Sequence, residues 1–183
     1  MRRRFSPFIA AALIALGSAP TWAEETVCTG FLGNVTVGSL RVPDGARCRL
    51  KGTRVEGTLV VERGAILDAS RIDVIGNVQA ENARLVRVAA STIGQSVQLK
   101  QGGGASVTGS RIDGDLQLES NRSSLGASRN VIGGSLQAFQ NTGGLVIKSN
   151  RIDGNLQCKG NTPLPAGGGN VVHGSNGDQC ERL

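Results

Sequence analysis

Aromatic residues are scarce in this chain, whose 183 residues include one Trp, four Phe and no Tyr. Proteins that bind single-stranded nucleic acids stack the bases on aromatic side chains, and aromatic platforms serve many sugar-binding proteins in the same way. The near absence of such side chains argues against both kinds of site. Hydrogen bonding of a sugar by Gln or Asn side chains stays open.

Histidine, cysteine and long apolar runs are also few. The chain has one His, His173, and four Cys whose spacings do not match a zinc site, so we expect no metal ion. No Ser, Thr or Cys has a basic partner at a spacing typical of a nucleophile, and the Gly-x-Gly patterns do not open a helix. The sequence therefore indicates no cofactor and no nucleophilic active site, and we expect His173 to face solvent.

The first 23 residues have the pattern of an export signal. Three Arg at 2–4 precede an apolar run over 8–16, and residues 21–23 are typical of a cleavage site. Because the run is too short to span a membrane, we predict cleavage near Ala23 and a periplasmic or secreted protein without a membrane span. The mature chain then carries 17 basic and 14 acidic residues, and this modest excess also argues against a nucleic-acid partner.

What the chain has in excess is glycine, with 27 residues, and internal repetition. Residues 151–157 read RIDGNLQ, residues 111–117 read RIDGDLQ, and residues 131–137 read VIGGSLQ. Aligned on the central position of these segments, seven anchor positions follow one another in steps of 19 or 20 residues, which is typical of a repeat architecture. The seven anchor positions are Gly57, Gly76, Gln95, Gly114, Gly134, Gly154 and Gly174.

Apolar residues stand two positions before every anchor, and two and four positions after the first six, as Ile112, Leu116 and Leu118 do around Gly114. This alternation predicts a strand with one buried face, with the anchor glycine inside the strand. A repeat of 19–20 residues suits one turn of a parallel β-solenoid. We therefore predict an all-β, single-stranded parallel β-helix of seven to eight turns, right-handed by the general preference of parallel crossovers.

We expect one domain, with an N-terminal cap and first turn over 24–52 and the solenoid over 53–183. Residues 31–35 mimic the anchor segment at an irregular spacing, and Pro43 is expected to guard this end. At the other end, Asn176 and Asp178 replace apolar residues at core positions, so no further apolar turn can stack there. Guarded ends predict a monomer.

The four cysteines lie near the two ends of the mature chain. An even number in an exported protein indicates disulfides, and four cysteines allow three pairings. We favour Cys28–Cys48 and Cys158–Cys180, because each pair would then fasten a terminal turn that has a neighbour on one side only.

Two rows of amide residues accompany the repeat. One residue past the inward position stands a Gln in five turns running, and four residues further on an Asn recurs in three turns. We expect both rows to face outward and to hydrogen-bond along the rod axis, and the Gln row is a candidate contact surface. The rows are Gln79, Gln98, Gln117, Gln137 and Gln157, and Asn121, Asn141 and Asn161.

Charged residues alternate outward on the anchor segments. Asp113, Asp115 and, two turns later, Asp153 form a carboxylate cluster beside Arg111 and Arg151, which are further candidate binding residues. Paired carboxylates serve glycoside hydrolysis, so the three Asp are the candidate catalytic residues of a polysaccharide-active enzyme. Alternatively they form exposed Arg–Asp pairs, as Arg54 would with Glu56. Short connections that build no cleft favour the second interpretation.

The C-terminal residues 150–158, then 161–163, 167–170 and 179–180, form a pattern NLQC, NTP, GGGN and QC. This tail resembles that of uncharacterised exported bacterial proteins, and the resemblance implies export and a β-solenoid without an activity to carry over. The short Gly-x-apolar turns are also similar, more weakly, to bactofilins, which are polymerising β-solenoids, although bactofilins are cytosolic and lack stapled ends.

Taken as a whole, the pattern predicts an exported non-catalytic solenoid whose rigid polar surface binds an envelope polysaccharide or protein. The alternatives are a polysaccharide-active enzyme that uses the carboxylate cluster and a self-assembling scaffold.

Overall fold

The computed structural model describes residues 25–183, and the predicted export signal over 1–23 lies outside the described residues. Within 25–183 the regular structure consists of 25 β-strands, without a helix, in three parallel sheets named A, B and C. The sheets stack into a β-solenoid of about eight turns. The predicted all-β parallel solenoid is confirmed.

Sheet A contains Glu25–Val27, Ser39–Val42, Leu59–Val61, Val78–Glu81, Val97–Lys100, Leu116–Glu119, Leu136–Phe139, Leu156–Lys159 and Asn176–Asp178. Sheet B contains Phe31–Leu32, Arg47–Lys51, Ile66–Ser70, Leu85–Ala89, Gly104–Thr108, Leu125–Ser128, Leu145–Lys148 and Ala166–Gly168. Sheet C contains Thr36–Val37, Arg54–Val55, Asp73–Val74, Thr92–Ile93, Arg111–Ile112, Val131–Ile132, Arg151–Ile152 and Val171–Val172.

Each turn of the chain adds one strand to sheet A, one to sheet B and one to sheet C, in that order. The register is 19 residues from Val78 to Val97 and 20 residues from Leu116 to Leu136, as the anchor spacing predicts. Equivalent residues therefore stack along the rod at about 4.8 Å, the spacing of neighbouring strands.

The interior of the rod consists of the predicted apolar columns. Ile112, Leu116 and Ile132 are fully buried, as are Leu136 and Leu156. Each stacks on its counterpart in the next turn, so the core is one continuous column, and each turn depends on its neighbours for burial.

The anchor glycines do not lie inside a strand, as the sequence pattern predicts, but at the corner where sheet C passes into sheet A. A Cβ on Gly154 would lie 2.7 Å from the carbonyl oxygen of Gly134, so close stacking of successive corners favours glycine. Gln95 carries a side chain at the same corner. Its backbone N–H···O bond to Gly76 is 3.3 Å long, against 3.0 Å from Gly76 to Gly57.

The Asn row is buried, contrary to the prediction that it faces outward. Asn121, Asn141 and Asn161 are 1–3% exposed, at the corner between sheets A and B. The residue before each of the first two, Ser120 and Gln140, has a φ of 55°. This left-handed residue ends the alternation of the strand and turns the following Asn inward, so it is the preceding residue that carries the left-handed backbone.

A second buried ladder at the corner between sheets B and C has no counterpart in the sequence predictions. The backbone N–H of Ser110 donates to Oδ1 of Asn130 at 3.0 Å, and that of Asn130 donates to Oδ1 of Asn150 at 3.0 Å. In 25–183 no buried side-chain nitrogen or oxygen lacks a hydrogen-bond partner. The two ladders therefore satisfy the polar groups at these corners internally.

Both predicted disulfides are present, Cys28–Cys48 and Cys158–Cys180, with Cα–Cα distances of 5.6 and 5.3 Å. At the C-terminal end, Asn176 and Asp178 lie over Leu156 and Cys158, and Leu183 packs against the core. Polar residues therefore occupy the core positions of the last strand of sheet A, as the sequence predicts.

The N-terminal end differs from the prediction. Phe31 and Leu32 pair with Arg49 and Leu50 in sheet B, so they are not an anchor segment; the corner under Gly57 is Gly38, whose oxygen accepts from the Gly57 amide at 2.8 Å. Pro43 follows a second-turn strand and does not cover the end. Three apolar side chains are exposed there by 46–62%, namely Val27, Phe31 and Val35.

Candidate functional site

The Gln row runs along the outward face of sheet A. Its five members lie in register in successive turns, and each is half-buried. In the described chain only Gln137 and Gln157 bond to each other, with 3.4 Å between Nε2 and Oε1. The expected amide ladder is therefore formed at one of its four steps. Gln is long and reaches solvent, so its amide has water as an alternative partner, whereas the short buried Asn has none.

A second outward row lies beside the Gln row on sheet A and is charged. It includes Glu81, Lys100 and Glu119, and Lys100 Nζ lies 3.3 Å from Glu119 Oε2. Between the two rows, near the N-terminal end, an open depression of about 630 Å³ is bordered by Gln79, Gln98, Glu81 and Lys100. Sheet A thus offers amide donors and acceptors together with charges of both signs.

At the N-terminal end of the same face, Arg41 replaces the glutamine. Its Nε donates to Glu25 at 2.9 Å, and Glu62 lies 3.6 Å from the guanidinium. The hydrogen bond to Glu25 and the charges of both carboxylates raise the pKa of Arg41 above its ordinary value. At this end of sheet A the charged side chains are therefore paired with one another. The Gln row is the part of the face whose polar groups remain free for a ligand.

The candidate catalytic carboxylates lie at the corner between sheets C and A. Asp113 and Asp153 stack in one column with Gly133 between them, so they are two turns, or about 9.6 Å, apart. This spacing is near the upper limit for inverting glycosidases. Both side chains are 45% exposed, so the site lacks the enclosing walls of a catalytic cleft.

Each of these two carboxylates is engaged by a basic side chain. Asp113 Oδ1 lies 2.8 Å from Nε of Arg111, while Asp153 Oδ1 lies 3.6 Å from Arg151 and 3.2 Å from Nδ1 of His173. These are the exposed Arg–Asp pairs that the sequence offered as the alternative. Arg54 pairs with Asp73 of the next turn and not with Glu56, because the register places Asp73 directly beside it.

Asp115 is a structural residue of the corner. Its Oδ1 accepts the backbone N–H of Ser135, one turn later, at 2.7 Å. The same pattern continues in both directions. Oγ of Ser96 accepts the backbone N–H of Asp115 at 3.0 Å, and Oγ of Ser135 accepts the backbone N–H of Asn155 at 3.0 Å. Asp115 is thus one rung of a polar ladder, and its carboxylate is turned toward the backbone.

The structure also brings together a set of residues that the sequence pattern does not reveal. Basic side chains gather on the outward face of sheet B and its adjoining corners, although their positions in the chain alternate with acidic residues of the other faces. The net charge of the chain hides this separation. Only the assignment of each residue to a sheet could have found it.

Residues 25–183 contain no group of three or more His, Cys, Asp or Glu placed to hold a metal ion. The same range contains no helix with the length and apolar character of a membrane span. The chain matches no protein-family model, no curated protein and no solved structure.

Proposed function

We propose that this protein is an exported, non-catalytic binding protein whose rigid polar surface holds an envelope or extracellular polymer. The observation that carries the proposal is the in-register Gln row of sheet A. Gln79, Gln98 and Gln117 make no side-chain hydrogen bond within 25–183. Each amide therefore has two donor hydrogens and an acceptor oxygen free for a ligand.

The regular spacing of the row suits a partner that is itself a repeating chain. Successive amides lie about 4.8 Å apart on a sheet whose backbone is bonded on both sides. A surface held in this way loses little conformational freedom on binding, which favours affinity. A polysaccharide fits these amides by its hydroxyl groups, and an extended protein segment fits them by its backbone.

Export is supported by the two disulfides, since disulfides form and persist in oxidising compartments outside the cytosol. The sequence pattern over 1–23 adds independent support. We therefore propose a periplasmic or secreted protein.

A catalytic role for the carboxylate cluster has less support. Asp115 accepts a backbone amide, and Asp113 and Asp153 are paired with basic side chains on an exposed corner. A general acid needs an enclosed site and a substrate held beside it, and an exposed corner provides neither.

Binding of the mature protein to purified cell-wall and capsular polysaccharides tests the proposal. The double variant Gln98→Ala/Gln117→Ala should weaken binding by about tenfold or more with an unchanged melting temperature, because two hydrogen bonds are removed. Gln140→Ala, an exposed glutamine at the corner between sheets A and B, is the matched control and should leave binding unchanged.

A reducing-sugar assay on the same polymers separates binding from catalysis. We expect no sugar release by the wild-type protein. Release that disappears in Asp113→Asn would overturn the non-catalytic proposal, and equal binding by the double Gln variant and the wild type would remove the Gln row from it.

A further inference from the structure

The outward face of sheet B and its two adjoining corners are strongly basic. The acidic residues on this surface are Asp44 and Asp68, and Glu62, Glu81 and Glu119 lie in the column at its edge toward sheet A. All ten basic side chains are exposed: Arg47, Arg49, Lys51, Arg63, Arg71, Arg84, Arg87, Arg122, Arg129 and Lys148. They extend over six consecutive turns of the rod.

None of these ten side chains lies within ion-pair distance of a carboxylate in the described chain. By contrast, Arg41, Arg54, Lys100, Arg111 and Arg151, which belong to sheets A and C, are all paired. Unpaired guanidinium groups keep their full hydrogen-bonding capacity for a ligand.

A group of four acidic residues lies on the opposite side of the rod. Glu56, Asp113, Asp115 and Asp153 occupy the corner between sheets C and A, which is the corner that does not adjoin sheet B. Asp68 is the acidic residue within the basic face, and its neighbours in the register are Arg49 and Arg87. The field over sheet B therefore stays positive, although the mature chain as a whole is nearly balanced.

A depression of about 620 Å³ lies within the basic face. The register places Arg87, Ser106, Gly126 and Val146 side by side in successive turns, so two small residues leave a gap between larger ones. Arg84, Arg87 and Ser106 border the gap with hydrogen-bond donors. Val146, which is 45% exposed, adds an apolar wall.

We infer that sheet B binds a linear acidic polysaccharide, with one sugar unit seated in this depression. The carboxylate of the sugar would pair with Arg84 and Arg87, since guanidinium groups bind carboxylates by two parallel hydrogen bonds. The serine hydroxyl of Ser106 meets the sugar hydroxyls, and Val146 meets the apolar face of the ring.

The rest of the basic face extends the site along the polymer. Arg49 is two strands from Arg87 in the register, which is about 9.6 Å, and reaches acid groups of neighbouring sugars. The face favours a polysaccharide over a nucleic acid, because single-stranded nucleic acids need aromatic side chains on which their bases stack. Within 25–183, the strands of sheet B contain one aromatic residue, Phe31, and it lies at the far end of the face. The inference goes beyond the proposed function, since it concerns another sheet and stands even if the Gln row binds nothing.

The test uses the mature, oxidised protein and polygalacturonate fragments, with affinity measured by calorimetry at low and moderate salt. Arg84→Gln/Arg87→Gln should weaken binding by about tenfold or more, because charge-assisted hydrogen bonds are removed. Arg111→Gln/Arg151→Gln on sheet C changes the net charge equally and should change the affinity by less than about twofold, because exposed paired arginines add little.

Gly126→Leu tests the depression without a change of charge. A Cβ at Gly126 would meet no atom within 4 Å, so the new side chain fills the gap without moving the backbone. We expect an unchanged melting temperature and binding weakened by about tenfold. No binding of polygalacturonate, equal losses in the sheet B and sheet C double variants, or full binding by Gly126→Leu would each overturn the inference. So would a DNA duplex bound as tightly as polygalacturonate, since it would show attraction by charge alone.

Discussion

Asn141 Nδ2 donates to Oδ1 of Asn161 in the next turn at 2.9 Å, and the same nitrogen donates to the carbonyl oxygen of Leu118 in the turn before, also at 2.9 Å. One buried amide thus bridges three turns of the rod. Its own Oδ1 accepts the backbone N–H of Asn121 at 3.0 Å. The ladder replaces water as the partner of the backbone at this corner.

Replacement of Asn141 by Ala should therefore be costly. It leaves the N–H of Asn121 and the carbonyl of Leu118 without these partners in the interior, at about 1–3 kcal/mol for each buried unsatisfied group. We expect the free energy of unfolding to fall by about 2–6 kcal/mol in denaturant titrations. Gln117→Ala, on the outward face, is the control, and an equal loss there would show that burial of the amide does not matter.

The core column should be far more sensitive than the row beside it. Leu136 is fully buried, whereas Gln137 is half-buried and bonded once to Gln157. We expect Leu136→Ala to cost about 2–5 kcal/mol. Gln137→Ala should cost about 0.5 kcal/mol, which is typical of surface substitutions. Thermal melts with similar losses for both variants would contradict the assignment of the two faces.

The disulfides should fasten the terminal turns. Their sequence separations of 20 and 22 residues correspond to about 3 kcal/mol each by chain entropy. We expect reduction to lower the melting temperature and Cys158→Ser/Cys180→Ser to lower it in part. Light scattering of the oxidised protein should give the mass of one chain. A larger mass would contradict the predicted monomer and direct attention to the N-terminal end, where Phe31 is exposed.

Ala90 offers a stabilising substitution. Its φ is 50°, and glycine occupies the same corner in other turns, at Gly52 and Gly109. Because a left-handed backbone costs a residue with a Cβ about 1–2 kcal/mol, Ala90→Gly should raise the free energy of unfolding by about 0.5–1 kcal/mol after the greater entropy loss of glycine on folding.

The control for this substitution is Ala89→Gly in the adjacent strand, which has no positive φ to relieve. It should lower the free energy of unfolding by about 0.5–1 kcal/mol, since glycine weakens a strand. If both variants lose stability in denaturant titrations, the left-handed corner is not a source of strain.

The sequence by itself determined the period of the coil, the inward columns and the cysteine pairs. Apolar alternation around Gly114 leaves one arrangement in which Ile112 and Leu116 are both buried, and repetition every 19–20 residues stacks that arrangement turn on turn. Two cysteines lie near each end of the chain, about one repeat apart, so each has the other as its nearest partner in the adjacent turn. Such features depend on local spacing, which a sequence displays directly.

Only the tertiary structure decided which way the residues at the corners face and which charges share a surface. A left-handed residue such as Gln140 rotates the chain between two strands, so the alternation that locates Leu136 no longer applies to Asn141. Likewise, Arg122 and Asp113 belong to opposite sides of the rod although both lie within one repeat of the chain. Each turn distributes its residues over three faces. A basic surface arises only when basic residues lie on the same face in several turns.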